Sequence, residues 1–241
     1  MTPRLSVVIP AYNEERRLPE SLAKIRAFLE TRGQSFEIVV ADDGSRDATA
    51  AVAEAKGGAA TRVLRGETNR GKGHAVRTGM LAARGERRLM TDADLSTPIE
   101  EIVHLEGRLA SGSDVAIGSR AVRGARIEVR QGRFRETAGR AFNVLVRLLL
   151  LPGIRDTQCG FKLFTARAAQ AVFEPVRLDG FSFDVEALYV ARRAGLRVAE
   201  VPVVWRNDAA TRVGGLSGAR AFLDLVRIRW NGARGRYGPA L

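Results

Sequence analysis

The sequence predicts an α/β fold with a mostly parallel central sheet flanked by helices. Short apolar, β-branched runs at residues 5–10, 36–41 and 89–91 have the composition of buried strands. Segments with apolar residues three or four apart lie between these runs, as expected of amphipathic helices. The chain of 241 residues is also long enough to bury a sizeable core. Strands that alternate with helices favour parallel pairing with right-handed crossovers.

The predicted elements alternate in type along the amino-terminal half. Pro10 ends the first strand, Asp47 is a candidate helix cap, and Pro98 suits the first turn of a helix, where its missing N–H does no harm. In order, we expect a strand at residues 5–10, a helix from 18 to 33, a strand at 36–41, a helix from 47 to 56, a weak strand at 62–64, a helix from 74 to near 85, a strand at 89–91 and a helix from 98.

Two carboxylates directly follow the strand at residues 89–91. Side chains alternate along extended backbone, so Asp92 and Asp94 should point the same way from the carboxyl end of this strand, where open α/β sheets bind ligands. Neighbouring carboxylates repel each other unless a cation lies between them, and Mg²⁺ or Mn²⁺ takes oxygen ligands that include nucleotide phosphates. We therefore interpret the pair as a candidate metal–diphosphate site. Capping of the next helix is the alternative.

Polar loops also follow the other predicted strands. After the first strand, Tyr12 can stack on a base with Glu14 beside it, and after the second strand Asp42 can accept hydrogen bonds from a ribose or a base. Lys72 lies between two glycines that let the backbone approach a ligand, and its charge can offset phosphate. An exposed tyrosine, an Asx turn and a tight glycine turn are the ordinary alternatives. The shared position of these loops at strand ends favours one ligand site.

The chain is strongly basic, with 39 Lys and Arg against 27 Asp and Glu and a net charge of +12. This excess favours an anionic partner such as nucleic acid, a lipid surface or a phosphorylated substrate, although an arginine-rich proteome explains it equally well. We expect no nucleic-acid partner, because we find no aromatic-interleaved basic motif. A dehydrogenase is excluded because residues 7–14 lack the expected glycine fingerprint.

Cysteine content and hydropathy favour a cytoplasmic protein that lies peripherally at the membrane. Cys159 is the only cysteine, so no internal disulfide can form and an intracellular setting is expected. The amino terminus leads into a strand without a signal peptide, and no apolar run reaches the roughly 18–20 residues that span a bilayer. Two shorter segments, 141–152 and 221–230, combine apolar and basic residues and are candidates for contact with the membrane interface. A buried core helix is the alternative for the first segment.

Motifs along nearly the whole chain resemble the family 2 glycosyltransferases with the GT-A fold. These motifs are Val-Ile-Pro-Ala-Tyr-Asn-Glu at residues 8–14, Asp-Asp-Gly-Ser at 42–45, Gly-Lys-Gly at 71–73 and Asp-Ala-Asp at 92–94. In the second half, the segments at 117–120, 153–164 and 183–189 resemble polyprenyl-phosphate hexosyltransferases. Among these, Asp-Thr-Gln-Cys-Gly-Phe-Lys at 156–162 and Val-Pro-Val-Val-Trp at 201–205 are most similar to the dolichyl-phosphate β-glucosyltransferases, with the dolichyl-phosphate mannosyltransferases next.

The resemblance implies an inverting, metal-dependent transfer of glucose from UDP-glucose to a polyprenyl monophosphate of the dolichyl or undecaprenyl type. A GDP-mannose-dependent mannosyltransferase and a glycosyltransferase with a polysaccharide or soluble acceptor are the alternatives. A single GT-A domain at residues 1–241 is implied, with a nucleotide-sugar half at 1–98, an acceptor half at 99–215 and a basic amphipathic segment at 216–241. An acceptor phosphate has its second pKa near ~6, so it is largely dianionic at neutral pH and needs no strong protein base.

Roles for individual residues follow from the same resemblance. Asp94 is expected to be the principal metal ligand, with Asp92 beside it. Ser96 stands where mannosyl relatives often carry a glutamine ligand, which argues against mannose. The other expected contacts are Pro10, Tyr12, Glu14 and Asp42 in the nucleoside pocket, Lys72 near it, Asp92 and Ala93 on the nucleotide, and Arg212 in a loop that closes over the site.

Arginines are dense between residues 120 and 140, on the expected acceptor side. Guanidinium groups bind phosphate in a bidentate way that lysine does not match. The resemblance assigns Arg120 and Arg135 to the acceptor phosphate, so that these two arginines and Asp94 are the expected catalytic residues. Asp156 is expected to orient Arg155 or Lys162. We interpret most of the remaining arginines as a solvated basic surface.

Overall fold

The computed structural model describes residues 2–129, 142–206 and 215–238. The strands are β1 (Leu5–Ala11), β2 (Phe36–Asp42), β3 (Thr61–Arg65), β4 (Arg87–Thr91), β5 (Val115–Ser119), β6 (Arg126–Val129), β7 (Phe161–Thr165), β8 (Val198–Pro202) and β9 (Val204–Arg206). The helices are α1 (Leu18–Thr31), α2 (Thr49–Gly57), α3 (Lys72–Ala82), α4 (Ile102–Ala110), α5 (residues 142–149), α6 (Ala166–Phe173), α7 (Phe183–Arg193) and α8 (Gly215–Ala233). Within these ranges, no helix combines the length and the hydropathy that a membrane span requires.

Seven strands form the central sheet in the order β3-β2-β1-β4-β7-β5-β8. Neighbouring strands pair in parallel except at β7, which runs antiparallel to both β4 and β5. Strands β6 and β9 form a separate parallel pair. The predicted mostly parallel sheet flanked by helices is confirmed. Because β7 lies between β4 and β5, both halves of the chain share one sheet.

Helices cover both faces of the central sheet. Adjacent strand residues point to opposite faces, so Val7 and Ile9 belong to one apolar cluster and Val8 belongs to the other. The cluster around Val8 includes residues of α3, α5, α6, α7 and α8, and the cluster around Val7 includes residues of α1, α2 and α4. Burial on both faces explains why the strands are nearly continuous apolar runs in the sequence.

The first strand is longer than the sequence predicted. It continues through Pro10, which pairs in register with Ala41 of β2. Pairing between β1 and β4 already ends at Val8, so β1 has a single partner strand where the proline lies. Proline is tolerated at such positions because one side of the strand makes no ladder hydrogen bonds. The expectation that Pro10 ends the strand was therefore wrong.

Two helix boundaries also differ from the prediction. Helix α3 ends at Ala82 instead of near residue 85, because the Arg84 N–H donates to Glu37 Oε1 at 2.6 Å rather than continuing the helix. Helix α2 begins at Thr49, whose N–H donates to Asp47 Oδ1 at 3.0 Å. Asp47 thus binds the start of α2 from just outside it, close to the capping role expected from sequence.

Candidate active site

The carboxyl ends of β2, β1 and β4 lie side by side because these strands are neighbours in the sheet. Asp42 ends β2 in register with Ala11, next to the loop that carries Tyr12 and Glu14. Asp92 directly follows β4, on the other side of β1. The structure therefore brings the expected donor residues to one edge of the sheet, where α/β sheets of this kind bind ligands.

The Asp-Ala-Asp segment forms a tight turn after β4. The Leu95 N–H donates to the Asp92 carbonyl at 3.2 Å, and Leu95 adopts a left-handed backbone with φ of 48°. Ser21 Oγ donates to the Ala93 carbonyl at 2.6 Å and so anchors the turn to α1. These contacts fix the backbone that carries the two carboxylates.

Asp94 and Asp92 form a pair of carboxylates suited to a hard cation. Burial raises the pKa of Asp94, and the nearby charge of Asp92 raises it further. The Ser96 N–H, at 2.9 Å from Asp94 Oδ1, acts in the opposite direction. Among the described residues, no third His, Cys, Asp or Glu lies with Asp92 and Asp94 in a cluster that could hold a metal ion. Such a pair fits Mg²⁺ or Mn²⁺, which typically binds one or two carboxylates and completes its coordination with phosphate and water.

Asp92 is held between a glycine and a lysine. A Cβ atom added to Gly160 would lie 2.0 Å from Asp92 Oδ2, so only glycine lets the carboxylate occupy this position. On its other side, Asp92 Oδ1 lies 2.6 Å from Lys72 Nζ. Sequence reasoning assigned no role to Gly160, although it lies in the segment that most resembles the glucosyltransferases.

Lys72 is positioned by the glycines on either side of it. Gly71 has φ of 121°, and a Cβ atom there would lie 2.4 Å from the Asp179 carbonyl oxygen. A Cβ atom at Gly73 would lie 2.3 Å from the Leu178 carbonyl oxygen, and the Gly73 N–H donates to the Asp179 carbonyl at 2.7 Å. The loop at residues 178–179 can therefore approach this closely only because residues 71 and 73 are glycines. We call residues 71–73, where α3 begins, the glycine loop.

Asp43 fixes the same glycine loop from the β2 side. Its carboxylate accepts the Gly71 N–H at 2.6 Å and the Arg70 N–H at 3.1 Å. Asp42 instead accepts the Ser45 N–H at 3.3 Å and the Ser45 hydroxyl, as in an Asx turn. The Asp42 side chain is buried at the end of β2, so its role on the nucleoside remains a prediction.

The loop after β1 combines an exposed ring with a paired carboxylate. Tyr12 exposes 38% of its surface, whereas Pro10 is buried within β1. Glu14 binds Arg17 through Nε at 2.7 Å, and the Glu14 N–H donates to Thr49 Oγ1 at 2.7 Å. Tyr12 thus presents an accessible aromatic face, while Glu14 fixes the loop on α1 and α2.

A second, buried ion pair lies behind the Asp92–Lys72 pair. Lys162 of β7 donates through Nζ to Asp184 of α7 and to the Cys159 carbonyl, the latter at 2.6 Å. Burial raises the pKa of Asp184, and the neighbouring charges of Lys162 and Lys72 oppose this shift. Asp184 was not predicted as a site residue. A lysine inside an apolar strand was the available signal, because a buried charge requires a partner.

Arg120 and Asp156 form an ion pair at the carboxyl end of β5. Asp156 Oδ2 accepts Arg120 Nε at 2.7 Å, and Asp156 Oδ1 accepts Nη2 at 2.9 Å. Burial alone would raise the pKa of Asp156, but Arg120 outweighs it and lowers that pKa below its usual value. The guanidinium carbon of Arg120 also lies 5.2 Å from the Trp205 ring centre. The expectation that Asp156 orients Arg155 or Lys162 was wrong, since its hydrogen-bonded partner is Arg120.

Arg155 is instead held through its backbone. The N–H groups of Arg155 and Asp156 donate to the two carboxylate oxygens of Glu200 on β8, at 2.8 and 3.0 Å. Arg135 and Arg212, which the resemblance places on the acceptor phosphate and over the site, lie outside the described residues. The same holds for Arg130, Arg133 and Arg140.

A cavity of about 470 Å³ opens beside the Asp-Ala-Asp turn. Its lining includes Asp94 and Ser96 from the turn, Arg17 and Lys24 from the α1 side, and Arg206 from β9. Another cavity of about 490 Å³ lies between α4 and the β8–β9 turn and includes none of the expected site residues. The cavity next to Asp94 therefore contacts the candidate active site at the Asp-Ala-Asp turn, and its lining does not include Tyr12, Asp42 or Lys72.

Comparison with known proteins identifies the family to which this site belongs. Residues 6–173 match the family described as Glycosyl transferase family 2. The chain belongs to this family. Human dolichyl-phosphate beta-glucosyltransferase is 40% identical over 244 aligned residues, which cover 95% of this chain and 75% of the human protein. The Drosophila melanogaster protein of the same name is 42% identical over 216 residues, which cover 83% of this chain and 66% of the relative.

Solved structures with the same fold are more distant in sequence. Glucosyl-3-phosphoglycerate synthase from Mycobacterium tuberculosis, solved with Mn²⁺, UDP-glucose and phosphoglyceric acid, superposes with a TM-score of 0.71 at 20% identity. The match covers 95% of this chain and 80% of that one. The GT-A fold, the glycosyltransferase class and the resemblance to dolichyl-phosphate β-glucosyltransferases predicted from sequence are confirmed.

Proposed function

We propose that this glycosyltransferase moves glucose from UDP-glucose to a polyprenyl monophosphate, with inversion at the sugar carbon and with Mg²⁺ or Mn²⁺. The observation that carries the proposal is the placement of the Asp-Ala-Asp turn, Lys72 and the Arg120–Asp156 pair around one edge of the sheet. Relatives named dolichyl-phosphate beta-glucosyltransferase, at 40% identity or above, support glucose and a polyprenyl phosphate. The Mn²⁺ and UDP-glucose in the mycobacterial neighbour support the donor and the metal.

The donor diphosphate requires positive charge on the protein side. Asp94 and Asp92 would hold the metal ion, which stabilises the departing diphosphate when bound. Lys72 lies at the first residue of α3, where the helix dipole adds partial positive charge directed at an anion. Tyr12 offers an exposed ring on which the base can stack.

The acceptor phosphate requires a second, separate positive group. Arg120 binds Asp156 through Nε and Nη2, and these bonds fix the direction of its guanidinium plane over Trp205. An arginine held in this way loses little conformational freedom when it binds a phosphate. Donor and acceptor anions repel each other, so their approach to in-line geometry depends on these charges. In the proposal, Arg135 and Arg212 complete the contacts from the segments outside the described residues.

The proposal includes a membrane surface that presents the lipid acceptor. Helices α5 and α8 contact each other through Phe142 and Phe222, with ring centres 5.6 Å apart. Of the twelve large apolar side chains that are exposed among the described residues, eight lie on these two helices. They are Val144, Leu145, Leu148, Leu149, Phe222, Leu223, Val226 and Trp230. We name this set the α5–α8 apolar surface.

Positive side chains accompany the α5–α8 apolar surface. Arg147, Arg227 and Arg229 are exposed on the same helices, and the guanidinium carbon of Arg234 lies 4.2 Å from the Trp230 ring centre. Apolar side chains flanked by arginines fit a lipid interface with anionic head groups. The predicted alternative of a core helix holds only for one side of α5, where Phe142 and Val146 are buried. Location at the cytoplasmic face belongs to the same proposal and is supported by the single cysteine.

A thermal-shift panel separates the candidate donors. UDP with Mn²⁺ should raise the unfolding midpoint more than GDP with Mn²⁺, since we propose a uridine donor. Asp94→Asn should lose the metal-dependent part of the shift while keeping the wild-type midpoint without ligand. Glu54→Gln, at an exposed carboxylate paired with Arg65, is the matched control. Stabilisation by GDP with Mn²⁺ but not by UDP with Mn²⁺ would favour the GDP-mannose alternative and contradict the proposed donor.

A further inference from the structure

Lys72 occupies an unusual electrostatic position at the centre of the site. It is the first residue of α3, where the helix dipole disfavours a positive charge. The Asp92 carboxylate, 2.6 Å away, supplies the compensating negative charge. The ammonium group is therefore a fixed cation on a carboxylate that the proposed metal ion also needs.

The surroundings leave Asp92 little freedom to serve two cations. Gly160 lies directly behind Asp92 Oδ2, so the carboxylate cannot retreat on that side. Lys162 already neutralises Asp184 deeper in the protein, so Lys72 depends mainly on Asp92. In this cluster, the three carboxylates of Asp92, Asp94 and Asp184 face two ammonium groups. The charges of Arg17 and Arg120 also act on Asp94 and Asp92. A divalent cation that arrives alone therefore meets carboxylates that protein cations already compensate in part, together with the repulsion of Lys72.

We propose that Lys72 is the resident counterion of Asp92. This ion pair lowers the affinity of the site for a metal ion until a nucleoside diphosphate binds and its oxygens replace Asp92 as the partner of the ammonium group. The inference rests on the proposed function, because it concerns the order in which that site fills. A diphosphate provides oxygens for Lys72 Nζ, and Asp92 is then released toward the cation. Metal and nucleotide therefore bind cooperatively, and the coupling is reciprocal.

The counterion role predicts that loss of the Lys72 charge increases Mn²⁺ affinity, whereas the loss of an ordinary site residue decreases it. Replacement of Lys72 by methionine removes the charge and keeps the apolar stem. Without nucleotide, Lys72→Met should bind Mn²⁺ more tightly than the wild type, by about tenfold or more, because a like charge close to the cation has been removed. Damage to the fold cannot produce a gain in affinity, so this readout is specific for the counterion role.

The test measures free Mn²⁺ by electron paramagnetic resonance during titration of the full chain, with and without UDP-glucose. The variants are Lys72→Met, Lys72→Met combined with Asp92→Asn, and Lys56→Met. Lys56 is an exposed lysine on α2, so its replacement controls for the change in net charge. Circular dichroism and the unfolding midpoint verify that each variant folds.

We expect Lys72→Met to gain Mn²⁺ affinity without nucleotide, the added Asp92→Asn change to remove the gain, and Lys56→Met to match the wild type. The factor by which UDP-glucose tightens Mn²⁺ binding should also fall in Lys72→Met. Equal or weaker Mn²⁺ affinity in Lys72→Met, with UDP-glucose and Mn²⁺ still bound by the wild type, would overturn the inference alone. A wild type that binds neither Mn²⁺ nor UDP-glucose would overturn both the inference and the proposed function.

Discussion

Asp156 illustrates how a single buried carboxylate can orient a guanidinium group. It binds Arg120 through two side-chain hydrogen bonds and also accepts the Arg120 backbone N–H at 2.9 Å. The Asp156 side chain is buried, so its charge is stabilised mainly by Arg120. The direction of the Arg120 guanidinium thus depends on Asp156, which need not contact the acceptor phosphate that we propose for Arg120.

Replacement of Asp156 by asparagine should destabilise the protein in a pH-dependent way. Removing one partner of a buried pair leaves an uncompensated charge, so Asp156→Asn should lower the free energy of unfolding at pH 7 by roughly 3 kcal/mol. Because Arg120 lowers the pKa of Asp156, the contribution is fully present above the ordinary aspartate pKa of about 4 and is lost as pH falls through the lower folded value. Urea denaturation from pH 7 to pH 3 measures the difference between variant and wild type.

The difference between wild type and Asp156→Asn should narrow as the pH falls. Glu54→Gln, at an exposed ion pair, should change stability by less than ~1 kcal/mol at every pH. A difference for Asp156→Asn that stays constant across the range would contradict the role of the carboxylate charge.

Gly160 tests the position of Asp92 without removing a charge. A Cβ atom at residue 160 would lie 2.0 Å from Asp92 Oδ2, so Gly160→Ala forces the carboxylate to move. The atom displaced is the end of a side chain, so folding should survive while Mn²⁺-dependent stabilisation by UDP is lost. Gly107→Ala in α4 is the control, because its Cβ atom meets nothing within 4 Å. It should keep UDP binding and gain about 0.5–1 kcal/mol of stability from its helix interior position. Normal UDP stabilisation in Gly160→Ala would show that Asp92 does not hold the nucleotide or the metal.

At the scale of elements, Tyr237, just beyond α8, is tied to the glycine loop through α7. Glu186 of α7 accepts the Tyr237 hydroxyl at 2.6 Å, beyond the end of α8, and the Leu178 N–H at 2.7 Å. The next residue, Asp179, accepts the Gly73 N–H beside Lys72. The helix that carries much of the α5–α8 apolar surface and the glycine loop are therefore linked by one buried carboxylate.

Tyr237→Phe should weaken this link while preserving the packing. A buried oxygen of Glu186 would lose its hydrogen-bond donor, which costs about 1–3 kcal/mol. Guanidinium chloride denaturation measures the change, and protease cleavage near the carboxyl terminus reports local release of α8. An unfolding free energy equal to that of the wild type would show that the Tyr237 hydroxyl contributes nothing to the attachment.

Elements and motifs were predictable to different extents because they depend on different ranges of interaction. The strands and the Asp-Ala-Asp motif are local, so apolar runs and spacing were enough to place β1, β2 and β4. The partners of Arg120 and Lys162 lie 36 and 22 residues away in sequence, and only the fold brings them together. The resemblance led us to expect that Asp156 orients Arg155 or Lys162, whereas the fold places Arg120 beside it.

At the scale of the whole molecule, the candidate active site and the α5–α8 apolar surface lie on one sheet scaffold. Helices α5 and α8 cover the sheet face that also holds α3, the helix that begins at Lys72. Helix α4, which carries the exposed Val103, covers the opposite face. The contrast between the two faces allows a matched test of membrane binding.

Replacing Leu148 and Leu223 together by serine should weaken binding to vesicles that contain phosphatidylglycerol. These side chains expose 75% and 71% of their surface, so the core should not be disturbed. Burial of each leucine in lipid contributes about 1.5 kcal/mol or more, so the loss of both should weaken binding by roughly a hundredfold or more. Cosedimentation measures the bound fraction, and Val103→Ser controls for a general loss of surface hydropathy. If the double variant bound like the wild type, the α5–α8 apolar surface would not be the membrane contact.

Transfer of labelled glucose from UDP-glucose to a polyprenyl phosphate, measured as radioactivity that partitions into organic solvent, tests the central claim most directly. We predict a lipid-linked glucose that requires Mg²⁺ or Mn²⁺ and the wild-type Asp94. With labelled GDP-mannose in place of UDP-glucose, we predict no labelled lipid product. Labelled product that remains in water, or undiminished transfer by Asp94→Asn, would contradict the account.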